Sequence, residues 1–260
     1  MIEMKKEYVG MRRTFNAFLI FLSICLCCLS GRGCIIPKAS AVCGSFGSDI
    51  AWVYRCNRLA EKKVSLTFDD GPHPKLTPMI LDILKEYGVH ATFFVVGENA
   101  ERYPDLVKRI LREGHEIGNH TFSHVQATKI DRETIEEEIK HCEAVIDRIS
   151  GMKPRFFRPP CGAIDTELGG LCDALDYRVV LWSIDTRDWC RIPSADIVQN
   201  VLKNVKNGDI ILMHDYIGSN SPTPNALKKI IPALLARGYE FAPVGDLLSI
   251  GYEIEPTVHS

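Results

Sequence analysis

The chain has 260 residues, 46% of them apolar and 25% charged, with a formal net charge of −2. That length suits one domain of about 200 residues with a sizeable core, plus a leader. Charges of both signs are dispersed, and no basic run is dense enough to track phosphates, which speaks against a nucleic-acid partner.

The first 41 residues stand apart. Lys5, Lys6, Arg12 and Arg13 precede an uncharged apolar run over 17–29, and Ala39-Ser40-Ala41 follows downstream. A basic flank before an apolar run shorter than the roughly 20 residues of a bilayer span reads as an export leader. It is either a cleaved signal peptide or a retained N-terminal membrane anchor, so the expected location is secreted, periplasmic or cell-envelope associated. Cys25, Cys27, Cys28 and Cys34 lie in this leader, leaving Cys43, Cys56, Cys142, Cys161, Cys172 and Cys190. In an oxidising compartment these can form up to three disulfides, with Cys43 and Cys56 closing a short loop. Reduced core thiols are the alternative.

A short segment at 42–61 leads into the expected domain at 62–250, with a tail at 251–260. A β-rich strand at 63–68 breaks at Asp69-Asp70-Gly71-Pro72. A helix is predicted at 78–87, a strand at 91–96, a helix at 104–112 and a short strand at 115–117. The longest amphipathic helix spans 132–149 and ends before Gly151. Strands at 156–157, 178–182 and 209–214 follow, with helices around 192–205 and 224–237, a last strand at 240–243 and a short helix reaching Leu248. Repeated alternation of this kind implies α/β architecture, a parallel sheet covered by helices and either open or closed into a barrel.

The polar residues of interest follow strands, where sites assemble in such folds. Asp69 and Asp70 are adjacent carboxylates at a turn, so one can bind a cation while its neighbour stays ionised as a base. His120 and His124 have H-x3-H spacing, which on one helical turn brings both imidazoles to one face for a divalent metal. With Asp70 they make a three-ligand set of the catalytic type. Arg158 precedes Pro159-Pro160, and the next backbone N–H, at Cys161, is a candidate oxyanion donor. Asp185, Asp188 and Trp189 cluster at another break, and His214 ends an apolar strand as a candidate general acid.

These five segments, in this order, resemble the five motifs of the polysaccharide deacetylase family (the NodB homology domain, carbohydrate esterase family 4), over residues 62 to 250. The resemblance implies a distorted (β/α) barrel of about seven parallel strands forming a single catalytic domain. It implies Asp69 as catalytic base, His214 as catalytic acid, and Asp70, His120 and His124 as ligands of one divalent ion, Zn2+ or another such as Co2+. Arg158 and Asp188 would orient the base and the acid, while Leu212 and Trp189 would line the acetyl pocket. Cys161 stands where the family commonly has Tyr. It and Cys190 could pair or remain free, a thiolate ligand being the remaining option. The implied activity is N-deacetylation of an amino-sugar polymer such as peptidoglycan or chitin by a monomer. An O-acetyl esterase acting on xylan and a non-catalytic glycan-binding protein are the alternatives. The remaining histidines read as loop-holding or helix-surface residues (His73, His115, His141) or as solvent-facing (His90, His259).

Overall fold

The computed structural model describes residues 42–44 (backbone only), 53–216 and 220–250. The leader with its four cysteines and Ala39-Ser40-Ala41, and the tail with His259, lie outside these residues. Among the described residues no helix is long and apolar enough to cross a membrane.

In chain order the elements are β1 (Val42–Gly44), β2 (Val53–Asn57), β3 (Lys63–Asp69), α1 (Leu76–Tyr87), β4 (Thr92–Val95), α2 (Gly97–Arg102), α3 (Pro104–Arg112), β5 (Glu116–Asn119), α4 (Arg132–Ser150) and β6 (Phe156–Phe157). They continue as α5 (Thr166–Ala174), β7 (Arg178–Val180), β8 (Ile184–Asp185), α6 (Ser194–Asn204), β9 (Ile210–His214), α7 (Thr223–Ala236), β10 (Glu240–Phe241) and α8 (Val244–Ser249). The sheet order is β1-β2-β7-β6-β5-β4-β3-β9-β8, and β10 also pairs with β3. Every ladder from β2 to β8 along this path is parallel, giving eight parallel strands curled into a partial barrel. Only β1, beside β2, runs antiparallel. The short segment at 42–61 therefore supplies two strands to the sheet, and Asn57 at its end donates Nδ2 to the carbonyls of Leu247 and Ile250.

β3 sits centrally, and its last six residues are all buried, as a parallel strand covered on both faces requires. Helix α4 starts at Asp131, whose side chain accepts from Thr134 N, and stops at Gly151, whose φ of 72° suits a residue without Cβ. Its buried stripe, Ile135, Ile139, Cys142, Val145 and Ile146, follows helical spacing. Five elements have no counterpart in the sequence reading: β1 and β2 in the short segment at 42–61, and α2, β8 and α5 beyond it. The six-residue α2 begins at Gly97 with no side-chain cap, β8 has two residues, and α5 carries Gly169 and Gly170.

Of the two alternatives open for the cysteines, four thiols take the reduced one. Cys142, Cys161, Cys172 and Cys190 are free, so these four do not form disulfides, Cys161 and Cys190 included. Burial pushes the thiols of Cys142 and Cys172 up to about 12, which makes them inert core residues. The backbone register of β1 and β2 sets Cys43 opposite Cys56.

Candidate active site

Asp69 is the last residue of β3, and Asp70 leaves the strand with φ of 76°. That left-handed step keeps two consecutive carboxylates from pointing to opposite faces, as continued strand geometry would force. The turn is fixed by hydrogen bonds from Asn99 Nδ2 to Asp70 O (2.8 Å) and from Val96 N to Gly71 O (2.9 Å). Gly71 packs against the Asp215 carboxylate so closely that a Cβ there would overlap it.

The two imidazoles arrive differently from the helical turn expected. His120 to His124 is a loop after β5, with Thr121 and His124 at φ of 67° and 59°. Hydrogen bonds from outside the loop replace helical ones. Gly97 N and Glu98 N donate to Thr121 O and Phe122 O (3.0 and 2.9 Å), Asn119 Oδ1 accepts from Thr121 N, and Glu138 on α4 holds Ser123 N and Oγ. Phe122 stacks on His141 of α4 at 3.7 Å between centroids, so His141 does hold a loop. His120 Nδ1 donates to Arg158 O at 2.6 Å, a tautomer assigned from the acceptor it faces, and this leaves Nε2 for the site.

Asp70, His120 and His124 thus bring one ligand atom each within 4.8 Å of one another. Both Nε2 atoms face Asp70 Oδ1, at 3.3 Å from His120 and 3.1 Å from His124. Asp70 Oδ1 is buried yet accepts no hydrogen bond, as expected of an oxygen awaiting a cation. Burial works against the Asp70 charge, but the N–H groups and charge of the two imidazoles, when these are protonated, outweigh it and hold its pKa below the carboxylate range. Two neutral nitrogens and one carboxylate oxygen fit a divalent ion such as Zn2+ with positions left open.

Around this triad stand two pairs. Arg158, fully buried after β6, donates from Nη1 to Asp69 Oδ1 (2.7 Å) and to Thr67 Oγ1 (2.8 Å). Its Nε and Nη2 donate to the carbonyls of Val180 and Leu181, and its plane lies 4.0 Å over the Phe94 ring. Asp69 Oδ2 is left facing His120 Nε2 at 3.9 Å. In the second pair, His214 Nδ1 donates to Asp188 Oδ1 at 2.7 Å. Asp188 Oδ2 accepts from His214 N (2.8 Å) and Thr223 Oγ1 (2.6 Å). Burial depresses the His214 pKa, yet the hydrogen bond and charge of Asp188 prevail and raise it to about 9.

Strands β3 and β9 pair in register, with Asp69 opposite His214. Leu212 is two residues before His214, on the same strand face, and is buried. Trp189 is half exposed, its Nε1 3.3 Å from Asp185 Oδ1, and Cys161 carries an exposed thiol at φ of 61°. The sequence reading passed over Thr67, Thr223 and Asp215. Each is a buried polar residue with a partner near the site, but none carries a local spacing pattern that marks it.

The family model described as polysaccharide deacetylase matches residues 57–180. A peptidoglycan-N-acetylglucosamine deacetylase of Bacillus cereus is 43% identical over 190 residues, covering 72% of this chain and 89% of that protein. The crystal structure of a peptidoglycan N-acetylglucosamine deacetylase aligns with a TM-score of 0.72 at 39% identity, covering 75% of this chain and 91% of that one. A family 4 acetyl xylan esterase from Clostridium thermocellum, in complex with a cobalt ion, aligns with a TM-score of 0.69 at 37% identity, covering 75% and 95%.

Proposed function

The chain belongs to the polysaccharide deacetylase family, and from that premise we propose that it is an exported hydrolase removing the N-acetyl group from hexosamine units of peptidoglycan or a chitin-like polymer. The observation that carries the reading is the convergence of Asp70, His120 and His124 beside a buried Arg-held carboxylate and an Asp-held imidazole.

When bound, a divalent cation, which we take to be Zn2+, supplies Lewis-acid chemistry, polarising the acetyl carbonyl and lowering the pKa of the attacking water. Asp69 takes the proton of that water at Oδ2, because Oδ1 is engaged by Arg158. The Cys161 N–H is assigned to the oxyanion of the tetrahedral intermediate, and Leu212 and Trp189 to the acetyl methyl. His214 then gives its Nε2 proton to the departing nitrogen, since an amide anion is a poor leaving group. Its Nδ1 remains on Asp188, and with a pKa of about 9 the ring is protonated at neutral pH. Acetate and a unit with a free amine result.

Acetate release from peptidoglycan, chitin oligomers and acetylxylan, with and without chelator, tests this. The expected outcome is release from an N-acetylated polymer that stops on chelation and is absent in His120→Ala. Asp69→Asn is expected to retain metal without turnover. Release from acetylxylan alone would favour the second reading, an O-acetyl esterase, which the likeness to the xylan esterase supports. Full activity in His120→Ala would refute the ligand assignment.

A further inference from the structure

The loop that carries both imidazoles is anchored by a buried amide that the reaction does not use. Asn119, the last residue of β5, has no solvent contact and immediately precedes His120. Its Oδ1 accepts from Thr121 N at 2.9 Å, so the side chain bridges His120 from one neighbour to the other. Thr121 stands at φ of 67°, a conformation that a β-branched residue adopts only where its surroundings impose it. The main chain of Asn119 serves the same end. Its carbonyl accepts from Arg158 N (3.0 Å), and Arg158 O accepts from His120 Nδ1.

The far end of the amide is held as firmly. Asn119 Nδ2 donates to Ile139 O on α4 (2.9 Å) and to the hydroxyl of Tyr177 (3.1 Å). Tyr177 is buried just before β7, and its hydroxyl donates in turn to Glu143 Oε2 on α4 at 3.0 Å. The other Glu143 oxygen meets Lys153 Nζ at 2.9 Å near the surface. Burial drives the Tyr177 phenol above its ordinary range, so it keeps its single proton. That proton is committed to a carboxylate, which leaves the hydroxyl lone pairs for the amide N–H. Ile139 O can only accept and Thr121 N can only donate, which fixes the two ends of the Asn119 amide. From Glu143 to Thr121 each polar atom therefore has one role.

We propose that Asn119 and Tyr177, oriented by Glu143, are positioning residues that set the ligand loop before the cation arrives and so determine metal affinity. Were the loop not already held, the metal would have to order it, and the lost backbone freedom would be subtracted from the binding free energy. The proposal rests on the ligand set of Asp70, His120 and His124 assigned above.

The test compares the Kd for Zn2+, measured by competition with a chromogenic chelator, with the Tm of the metal-free protein. Tyr177→Phe keeps the ring and removes only the hydroxyl, and its Kd rises about tenfold. Turnover of chitotetraose by this variant, lost at limiting Zn2+, returns with excess Zn2+. Glu143→Gln retains an acceptor for the hydroxyl and recovers the affinity that Glu143→Ala loses. Val179→Ala, which opens a cavity in the core cluster that also contains Tyr177, lowers the metal-free Tm and leaves Kd unchanged. A wild-type Kd in Tyr177→Phe, with or without a lower Tm, would overturn the positioning role while the ligand assignment stands. A Kd that His120→Ala does not weaken would sink the ligand assignment and the positioning role together.

Discussion

Arg158 is a guanidinium without solvent contact, and its neighbours account for that. Each of its three nitrogens is spent on Asp69, Thr67 or the carbonyls of Val180 and Leu181. Burial alone pulls its pKa down, against the charge of Asp69. Removing it in Arg158→Met leaves Asp69 buried without its partner, and breaking a buried pair in this way costs about 3–5 kcal/mol. Denaturant melts of the variant are expected to show that loss, together with loss of turnover. A second residue-scale expectation concerns pH. The protonated form of His214 persists to about 9 because Asp188 outweighs burial, so the acid is lost as pH rises through that value. In Asp188→Asn the burial penalty remains and the favourable charge is gone. The alkaline limb of the kcat profile should therefore move to lower pH, and an unmoved limb would remove Asp188 from the role assigned to it. Asp69 and Asp70 are readable in the sequence because they adjoin a Gly-Pro turn. Thr67 and Thr223 are not, because their partners Arg158 and Asp188 are remote in the chain and only the folded sheet brings them together.

The loop bearing both imidazoles shows what an element contributes. It has no regular hydrogen bonding of its own and is held by the start of α2 and by α4. Gly97 makes that approach possible. A Cβ there would meet Phe122 Cδ2 at 2.5 Å, Phe122 Cα at 2.9 Å and Cys142 Cα at 3.2 Å, two of them backbone atoms with little room to move. Gly97→Ala is expected to cost about 1–3 kcal/mol of stability and to weaken metal binding in a titration, although Gly97 touches no ligand atom. Gly170→Ala in α5 is the control, since a Cβ there meets nothing within 4 Å. The spacing of His120 and His124 reveals that they form a pair but misleads about how they meet, because i,i+4 proximity is also reached through two left-handed residues. Long elements such as α4 are legible from their apolar period. A two-residue strand like β8 or a six-residue helix like α2 is too short to display one.

At the scale of the molecule, the candidate site takes residues from β3, the loop after β5, the segment after β6, the turn after β8 and the end of β9. Metal binding therefore reports on the assembled sheet. With free metal at about 100 times Kd, binding adds about 2.7 kcal/mol, which for a domain of this size raises Tm by about 5–10 °C. Chelation should remove that increment from wild-type protein and leave the Tm of His124→Ala unaltered. Scanning calorimetry of both, with and without chelator, distinguishes a bound ion from an idle cluster of polar groups. The parallel α/β plan was evident from strand-helix alternation. The place of β2 was not, because its neighbour in the sheet, β7, follows more than a hundred residues later. One consequence follows from the β3–β9 ladder. Its rungs are main-chain hydrogen bonds, so the distance between Asp69 and His214, the proposed proton acceptor and donor, is set by the scaffold and not by the crossover loops. Lengthening or exchanging those loops would retune which glycan is admitted without resetting the chemistry, which makes this rim the natural place to graft new selectivity.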